Sequence, residues 1–436
     1  MINSSQADQR PLAERTHSSK IVNWSPIYYG WVILAAGTFG LIMTSPGQTY
    51  VNSIFIDHFI RDLDISRSLV STLYLIGTLA ASLALPWVGR QVDQRGQRLI
   101  AVAISAAFGL ACLYMGFVRN ALMLLIGFIL LRMLGQGSLS LVSTNIINQW
   151  WVRRRGPLLG LSGVAMALLG VGAFPNVVNW LIPHLGWRMT YGVLGAVLLL
   201  VMTPVAWLFF RNRPEEYGLL PDGLTAKNRP GDPVATAPSV AHTEENWTVH
   251  EAMRTPVFWV FLVGLASISM LGTGLQFHIV SIFADNGLTP AMAAASYVPI
   301  AVTSAALNLA SGILVDRVRL RVMMAIALLL QALSLWMVAF LGTAALALAF
   351  GGLIGATSGL MRTVSTVAWA KYYGRRHLGS ISGVTSTVLV AASALGPLPM
   401  GVARDWLGSY TTTLNMLAVI PLGLAVASLF VDRPAR

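Results

Sequence analysis

The chain writes one long apolar segment twice. Trp31-Val32 is followed by Gln48, Ser53-Ile54-Phe55 and Asp57; Trp259-Val260, 228 residues on, is followed at the same distances by Gln276, Ser281-Ile282-Phe283 and Asp285. Tyr74, Gly89, Asp93 and Arg98 recur 223 residues later as Tyr297, Gly312, Asp316 and Arg321, and Val142-Ser143-Thr144 recurs after 222 as Val364-Ser365-Thr366. Offsets this constant across a chain of 436 residues mean an internal duplication. Two copies of one apolar bundle are expected to meet at a central site, as repeats in secondary transporters do.

Hydrophobic residues make up 55% of the chain and charged ones 11%, against about 25% charged in soluble proteins. Such a chain cannot cover itself with polar surface, so the bilayer is its solvent. Twelve stretches are long enough to span, near 29–56, 67–88, 99–118, 121–149, 156–183, 189–210, 256–284, 291–314, 322–341, 343–370, 378–401 and 411–430. In lipid each segment must satisfy its own backbone, which selects helices; a barrel would show alternating segments of roughly ten residues. The expectation is an all-α membrane protein with twelve transmembrane helices in two pseudo-symmetric six-helix halves, 29–210 and 256–430, with tails 1–28 and 431–436. The polar, proline-rich segment 211–255 reads as a linker with a disordered middle, and Trp247 to Arg254 as either a short surface helix or more linker.

Net charge +12 invites nucleic acid, but position argues otherwise. Arg61, Arg67, Arg119, Arg188 and Arg404 lie in one set of loops and Arg132 and Arg362 within spans, which leaves 22 of 29 Lys and Arg in the tails and the opposite loops. This is the positive-inside asymmetry: both termini are expected in the cytoplasm of an inner or plasma membrane protein, with the lipid bilayer and not nucleic acid as partner. Residues 1–28 lack an apolar core, so no cleavable signal is expected. The sole cysteine, Cys112, has no disulfide or cluster partner and reads as packing.

Gly89-Arg90-Gln91-Val92-Asp93-Gln94-Arg95-Gly96-Gln97-Arg98 resembles the loop signature between spans two and three of the major facilitator superfamily, and Gly312 to Arg319 resembles its degenerate copy after span eight. Arg155-Gly156 with Gly160, Gly186-Trp187-Arg188, the run Arg213 to Leu219, and Glu251 to Trp259 are similar to the bacterial branch of the monocarboxylate and oxalate/formate transporters. The resemblance covers about residues 28–430 and implies a transporter, not an enzyme, with no cofactor and a monomer sufficient. In that superfamily the loop charges are gating elements, so Asp93, Arg95, Arg98, Asp316 and Arg317 are expected to control opening.

Charge inside the membrane is the sharpest functional signal, since an arginine at a helix centre is unfavourable by about 2.5–3.5 kcal/mol even on lenient scales. Two remain after loops are removed, Arg132 in span four and Arg362 in span ten, and no Asp or Glu lies deep in any span. Unpaired guanidinium groups favour a carboxylate held by two hydrogen bonds, so the expected substrate is a small organic anion, a mono- or dicarboxylate, clamped by Arg362 with Arg132, Gln48 and Gln276 assisting. Arg132 precedes Gly135-Gln136-Gly137, similar to a superfamily motif whose arginine is structural or concerned with proton coupling. Pro46-Gly47-Gln48-Thr49-Tyr50 and Gly272-Thr273-Gly274-Leu275-Gln276-Phe277-His278 interrupt spans one and seven at corresponding places, a pointer to a transporter site. Tyr50 and His278 lie on a neighbouring face, and Tyr74 and Tyr297 in spans two and eight close over the site or pack.

One departure bears on coupling. Animal-type monocarboxylate transporters carry an Asp and an Arg in span eight, whereas residues 291–314 hold no charge. Proton coupling then rests on His278, and anion exchange or uniport stays open. Two other readings remain: proton-coupled multidrug or small-molecule efflux, although Gly163 to Pro175 lacks that branch's Gly-Pro pair, and a transporter-like receptor without transport.

Overall fold

The computed structural model describes residues 19–151, 154–223, 247–315, 317–374, 378–432 and 434. The described residues are helical with no β-strand. Among the described residues eleven helical stretches are long and apolar enough to cross a bilayer, and one, Gly156–Phe209, runs for 54 residues. At 1.5 Å per residue that is about 80 Å, far beyond a hydrocarbon core of about 30 Å. Its direction reverses at Gly186, whose φ of 76° and ψ of 158° no helix contains. It is therefore spans 5 and 6, and the twelve-helix expectation holds. The others are span 1 (Gly30–Leu63), span 2 (Arg67–Arg95), span 3 (Gln97–Met115), span 4 (Ala121–Trp150), span 7 (Pro256–Phe277), span 8 (Pro290–Leu314), span 9 (Leu320–Phe340), span 10 (Ala344–Tyr373), span 11 (Gly383–Leu407) and span 12 (Thr411–Leu429).

Span 1 breaks where proline and glycine forecast it: a helix ends at Ile42, a tight turn covers Ser45–Gly47, and Gln48 is extended before Thr49–Leu63 resumes. Span 7 differs from the sequence reading. Its helix runs unbroken through Gly272-Thr273-Gly274 to Phe277 and bends only at His278. Gly274 serves close approach instead, since a Cβ there would sit 2.7 Å from the Gly396 carbonyl oxygen of span 11. Without proline, glycines in a membrane helix let neighbours in rather than break it. Spans 8 and 10 use the same device: Gly351, Gly355 and Gly359 of span 10 recur every four residues, and Cβ atoms at Gly351 and Gly359 would meet the Ser296 and Ser304 carbonyl oxygens at 2.5 and 2.7 Å.

Trp247 to Arg254 settles as structure. A one-turn helix, Val249–Met253, is closed by a capping box of Thr248 and Glu251. The Trp247 amide donates to the Tyr373 carbonyl at 3.0 Å and its ring sits 5.9 Å from that of Tyr373. The middle of the expected linker, 224–246, lies outside the described residues.

The core shows how the two halves fit. One buried apolar cluster runs from the first half into Leu271, Phe277, Tyr297, Phe350, Met400 and Tyr410 of the second. A separate cluster, with Phe258, Phe261, Leu320, Trp369 and Tyr373, belongs to the second half alone. The halves thus share a core at the end remote from the chain termini and part company at the terminal end. Within spans 2, 5, 8 and 11, Gly89, Gly156, Gly160, Gly163, Gly312 and Gly383 toward the terminal end have no atom within 4 Å of an added Cβ, as is also true of the remote-end loop glycines Gly186, Gly287 and Gly342. At the remote end, a Cβ on Gly401 of span 11 would lie 2.6 Å from Ser71 Oγ of span 2.

Candidate functional site

The broken segment of span 1 builds the first-half wall. Gly47 lets span 4 approach so closely that a Cβ would meet the Gly135 Cα at 3.0 Å. This brings Arg132 under the break, where it is 3% exposed and its partners are all uncharged. Its Nε donates to Thr78 Oγ1 at 3.1 Å, and Nη1 donates to Thr49 Oγ1 at 3.3 Å and the Gly47 carbonyl at 3.4 Å. The guanidinium carbon stands 4.8 Å from the Tyr74 ring centre, and the Tyr74 hydroxyl is 2.6 Å from Thr49 Oγ1. No described carboxylate pairs with it. Arg132 stitches spans 1, 2 and 4 with its charge left over.

Above this cage the two repeats clasp each other. Tyr74 of span 2 packs its ring 4.6 Å from Phe277 of span 7, across the seam. Its counterpart Tyr297 of span 8 reaches the other way: the hydroxyl is 3.0 Å from Ser53 Oγ of span 1, donates to the Gln276 carbonyl at 3.2 Å, and the ring lies 6.2 Å from that of Tyr50. Tyr50, Tyr74 and Tyr297 are all buried, so the tyrosines form a closed roof. His278 is buried to one side. Its Nε2 is 2.9 Å from the Pro397 carbonyl, which can only accept, so Nε2 carries a proton, and Tyr410 closes on the ring 3.4 Å from Nδ1. It ties span 7 to spans 11 and 12 and does not meet Arg132.

What remains open lies below the roof. Gln48 and Gln276 are half-buried; Gln48 donates to Thr44 Oγ1 at 3.1 Å with its amide oxygen unengaged, and the Gln276 side chain makes no hydrogen bond with a described residue. Arg362 is exposed, eight residues nearer the terminal end of its helix than the position equivalent to Arg132, about 12 Å along the axis. It has no described carboxylate partner. Asn308 and Thr363, whose side chains bond at 3.2 Å, and Ser311, 2.5 Å from Thr363, join spans 8 and 10 next to it. The structure does not bring the two arginines together: Arg132 is consumed in the wall, and Arg362 is exposed.

At the remote end an ion pair within each half flanks a charged contact that crosses the seam. Asp57 pairs with Arg67, Asp285 with Arg404 at 2.8 Å, and the Asp405 carboxylate of span 11 accepts from the Ser68 amide at the start of span 2 at 2.7 Å. Asn176 of span 5 donates to the Ala294 carbonyl of span 8 at 3.0 Å. A cleft of about 740 Å³ sits among these pairs. Of the expected gating residues, Arg95 and Arg317 are exposed, Arg98 donates to the Trp207 carbonyl at 2.8 Å, Asp316 lies outside the described residues, and so does the side chain of Asp93. Sequence reading missed Thr49, Thr78 and Asp405. The first two are ordinary helix residues, and only the adjacency of Arg404 and Asp405 in sequence at a span end hinted at a latch.

A profile of the Major Facilitator Superfamily matches residues 37–397 and again 269–436. An uncharacterized MFS-type transporter of Bacillus subtilis, YhcA, is 29% identical over 199 residues, 45% of this chain and 36% of its own length. A multidrug resistance protein B homolog of Mycobacterium tuberculosis is 30% identical over 36% of this chain and 29% of its own. A probable sulfoacetate transporter of Cupriavidus necator, SauU, is 28% identical over 33% and 34%. The matched stretches thus span about a third of these relatives. A bacterial homologue of the human lysosomal transporter Spinster, solved in an inward-facing and occupied conformation, superposes with a TM-score of 0.68 at 16% identity, over 92% of this chain and 95% of that one. That likeness is one of fold.

Proposed function

Since the chain belongs to the Major Facilitator Superfamily, we propose that it is a secondary transporter of a small organic anion, a mono- or dicarboxylate, working by alternating access. The observation that carries this is the interior charge. Arg362 is exposed with no described carboxylate partner, Arg132 is caged by uncharged groups, and no described acid lies deep in any span. A bare guanidinium in a low-dielectric opening attracts a carboxylate and repels a cation. Arg362 would hold the carboxylate, and the Gln276 amide nitrogen, with the second N–H of the Gln48 amide, would donate to its remaining oxygens beneath the tyrosine roof. With the termini in the cytoplasm, as the positive-inside bias of the loops favours, this conformer would open to the cytoplasm.

Alternating access then means exchanging one closed end for the other. The roof parts as Tyr74 leaves Phe277, Tyr297 leaves Ser53 and Asp405 leaves Ser68, while the terminal ends of spans 2, 5, 8 and 11 meet over the small residues that now face open space. His278, bonded to Pro397 and closed on by Tyr410, acts as a strut, which favours exchange or uniport over coupling through that histidine. The multidrug relative supports a second reading, efflux of lipophilic compounds. Counterflow in proteoliposomes separates the two: carboxylates drive uptake of labelled carboxylate under the first, and lipophilic cations alone are moved under the second.

A further inference from the structure

The two halves treat the same terminal-end loop differently. Between spans 2 and 3, Gly96 turns the chain at φ 83° and the Asn212 carboxamide packs on it, accepting from the Arg98 amide at 3.1 Å. The Arg98 guanidinium lies 4.3 Å from the Trp207 ring centre. That loop is filled. In the second half the offset of 223 residues puts Arg317 and Arg319 where the first has Gln94 and Gly96. There a cleft of about 400 Å³ opens between the loop and the ends of spans 10 and 12, lined by Arg317, Arg319, Arg321, Lys371, Tyr372 and Asp432 among others.

Four cations face one carboxylate in this lining. Asp432 is taken by Arg321, and Lys371 Nζ donates to the Val315 carbonyl at 3.0 Å. Arg317 and Arg319 are exposed and pair with no described residue. The border is apolar: Phe430 is 81% exposed and Leu429 46% exposed at the adjoining end of span 12. Span 12 packs on spans 7 and 9 of its own half, so these side chains face the bilayer. Cationic walls beside a lipid-facing apolar edge match a molecule that carries an anionic head on an acyl tail.

We propose that this cleft binds the phosphodiester headgroup of an anionic membrane lipid. Guanidinium forks fit phosphate oxygens in pairs, and basic pockets between helix ends at a membrane surface hold such headgroups. The site lies on the outer flank of one half, apart from the central opening, and does not depend on what the central site carries. Inorganic phosphate shares the head chemistry but gains nothing from the Leu429 and Phe430 border.

The test is thermal unfolding of the full chain in neutral detergent, titrated with phosphatidylglycerol, phosphatidylcholine or inorganic phosphate. Phosphatidylglycerol is expected to raise the Tm saturably and phosphatidylcholine to leave it unchanged. Arg319→Gln with Lys371→Gln should weaken the apparent affinity at least about tenfold, as expected when charge-assisted contacts are lost. Arg319→Gln alone serves if the double variant does not fold. Arg213→Gln, at the same end of the first half, should leave the response intact. An equal response from phosphatidylcholine, or one unchanged in the Arg319 variants, overturns the proposal. A saturable rise with inorganic phosphate that is lost in those variants and equals the lipid response overturns the lipid source.

Discussion

The two ends of the bundle are built to opposite rules. At the end remote from the termini, residues from both halves interlock: Tyr74 on Phe277, Tyr297 on Ser53, Asp405 on the Ser68 amide, all around a shared apolar cluster. At the terminal end each half keeps its own core and glycines face empty space. A duplicated sequence would make both ends alike if it fixed only helices. The difference teaches that each interface is conditional, and that the open end carries the small residues it needs for closing.

That contrast can be broken from its tight side first. Gly401→Leu forces a side chain into Ser71 and the Arg67 backbone, and overpacking of this kind is unfavourable by about 1–3 kcal/mol. A lower Tm and new reactivity of cysteines introduced at the remote end toward an impermeant thiol reagent are expected; unchanged values for both would mean the ends are not packed as described. Cys112 is fully buried and silent in such labelling. Tyr297→Phe comes next. It removes the bond with Ser53 and leaves the Gln276 carbonyl without this donor, a loss of about 1 kcal/mol that should appear in Tm.

Asp405→Asn is milder. A carboxylate on helix-start amides contributes about 0.3–1 kcal/mol, so the expected result is a small shift toward remote-end opening that salt mimics in the wild type. Gly160→Ala should be the quietest, with an unchanged Tm, because nothing stands within 4 Å of the added carbon. Gly160→Trp sharpens the point: the same Tm but blocked turnover, since the terminal end must close over that position. Normal transport by Gly160→Trp would show that this surface never meets the other half.

Much of the architecture was legible because it follows from periodic apolarity and duplication. Twelve spans, two halves and the break at Pro46-Gly47 were all in the sequence. The correspondence of Tyr74 with Tyr297 singled out the pair that turns out to clasp the seam. The span 7 break was misplaced because glycine signals both bending and close approach, and only the neighbour, Gly396, tells which. Arg132 and Arg362 read as equals in sequence, as two lone intramembrane cations. Threonines and a carbonyl, which carry no sequence signal, consume the first and leave the second exposed.

The claim that Arg362 is the anion-holding group is tested most directly by carboxylate binding to purified wild type and Arg362→Gln, measured with unchanged Tm of the unliganded proteins as the control. Losing a charge-assisted contact of about 1.5–3 kcal/mol predicts at least a tenfold weaker carboxylate affinity in the variant. Equal affinity in the two proteins, or wild-type binding of lipophilic cations with none of carboxylates, would contradict it.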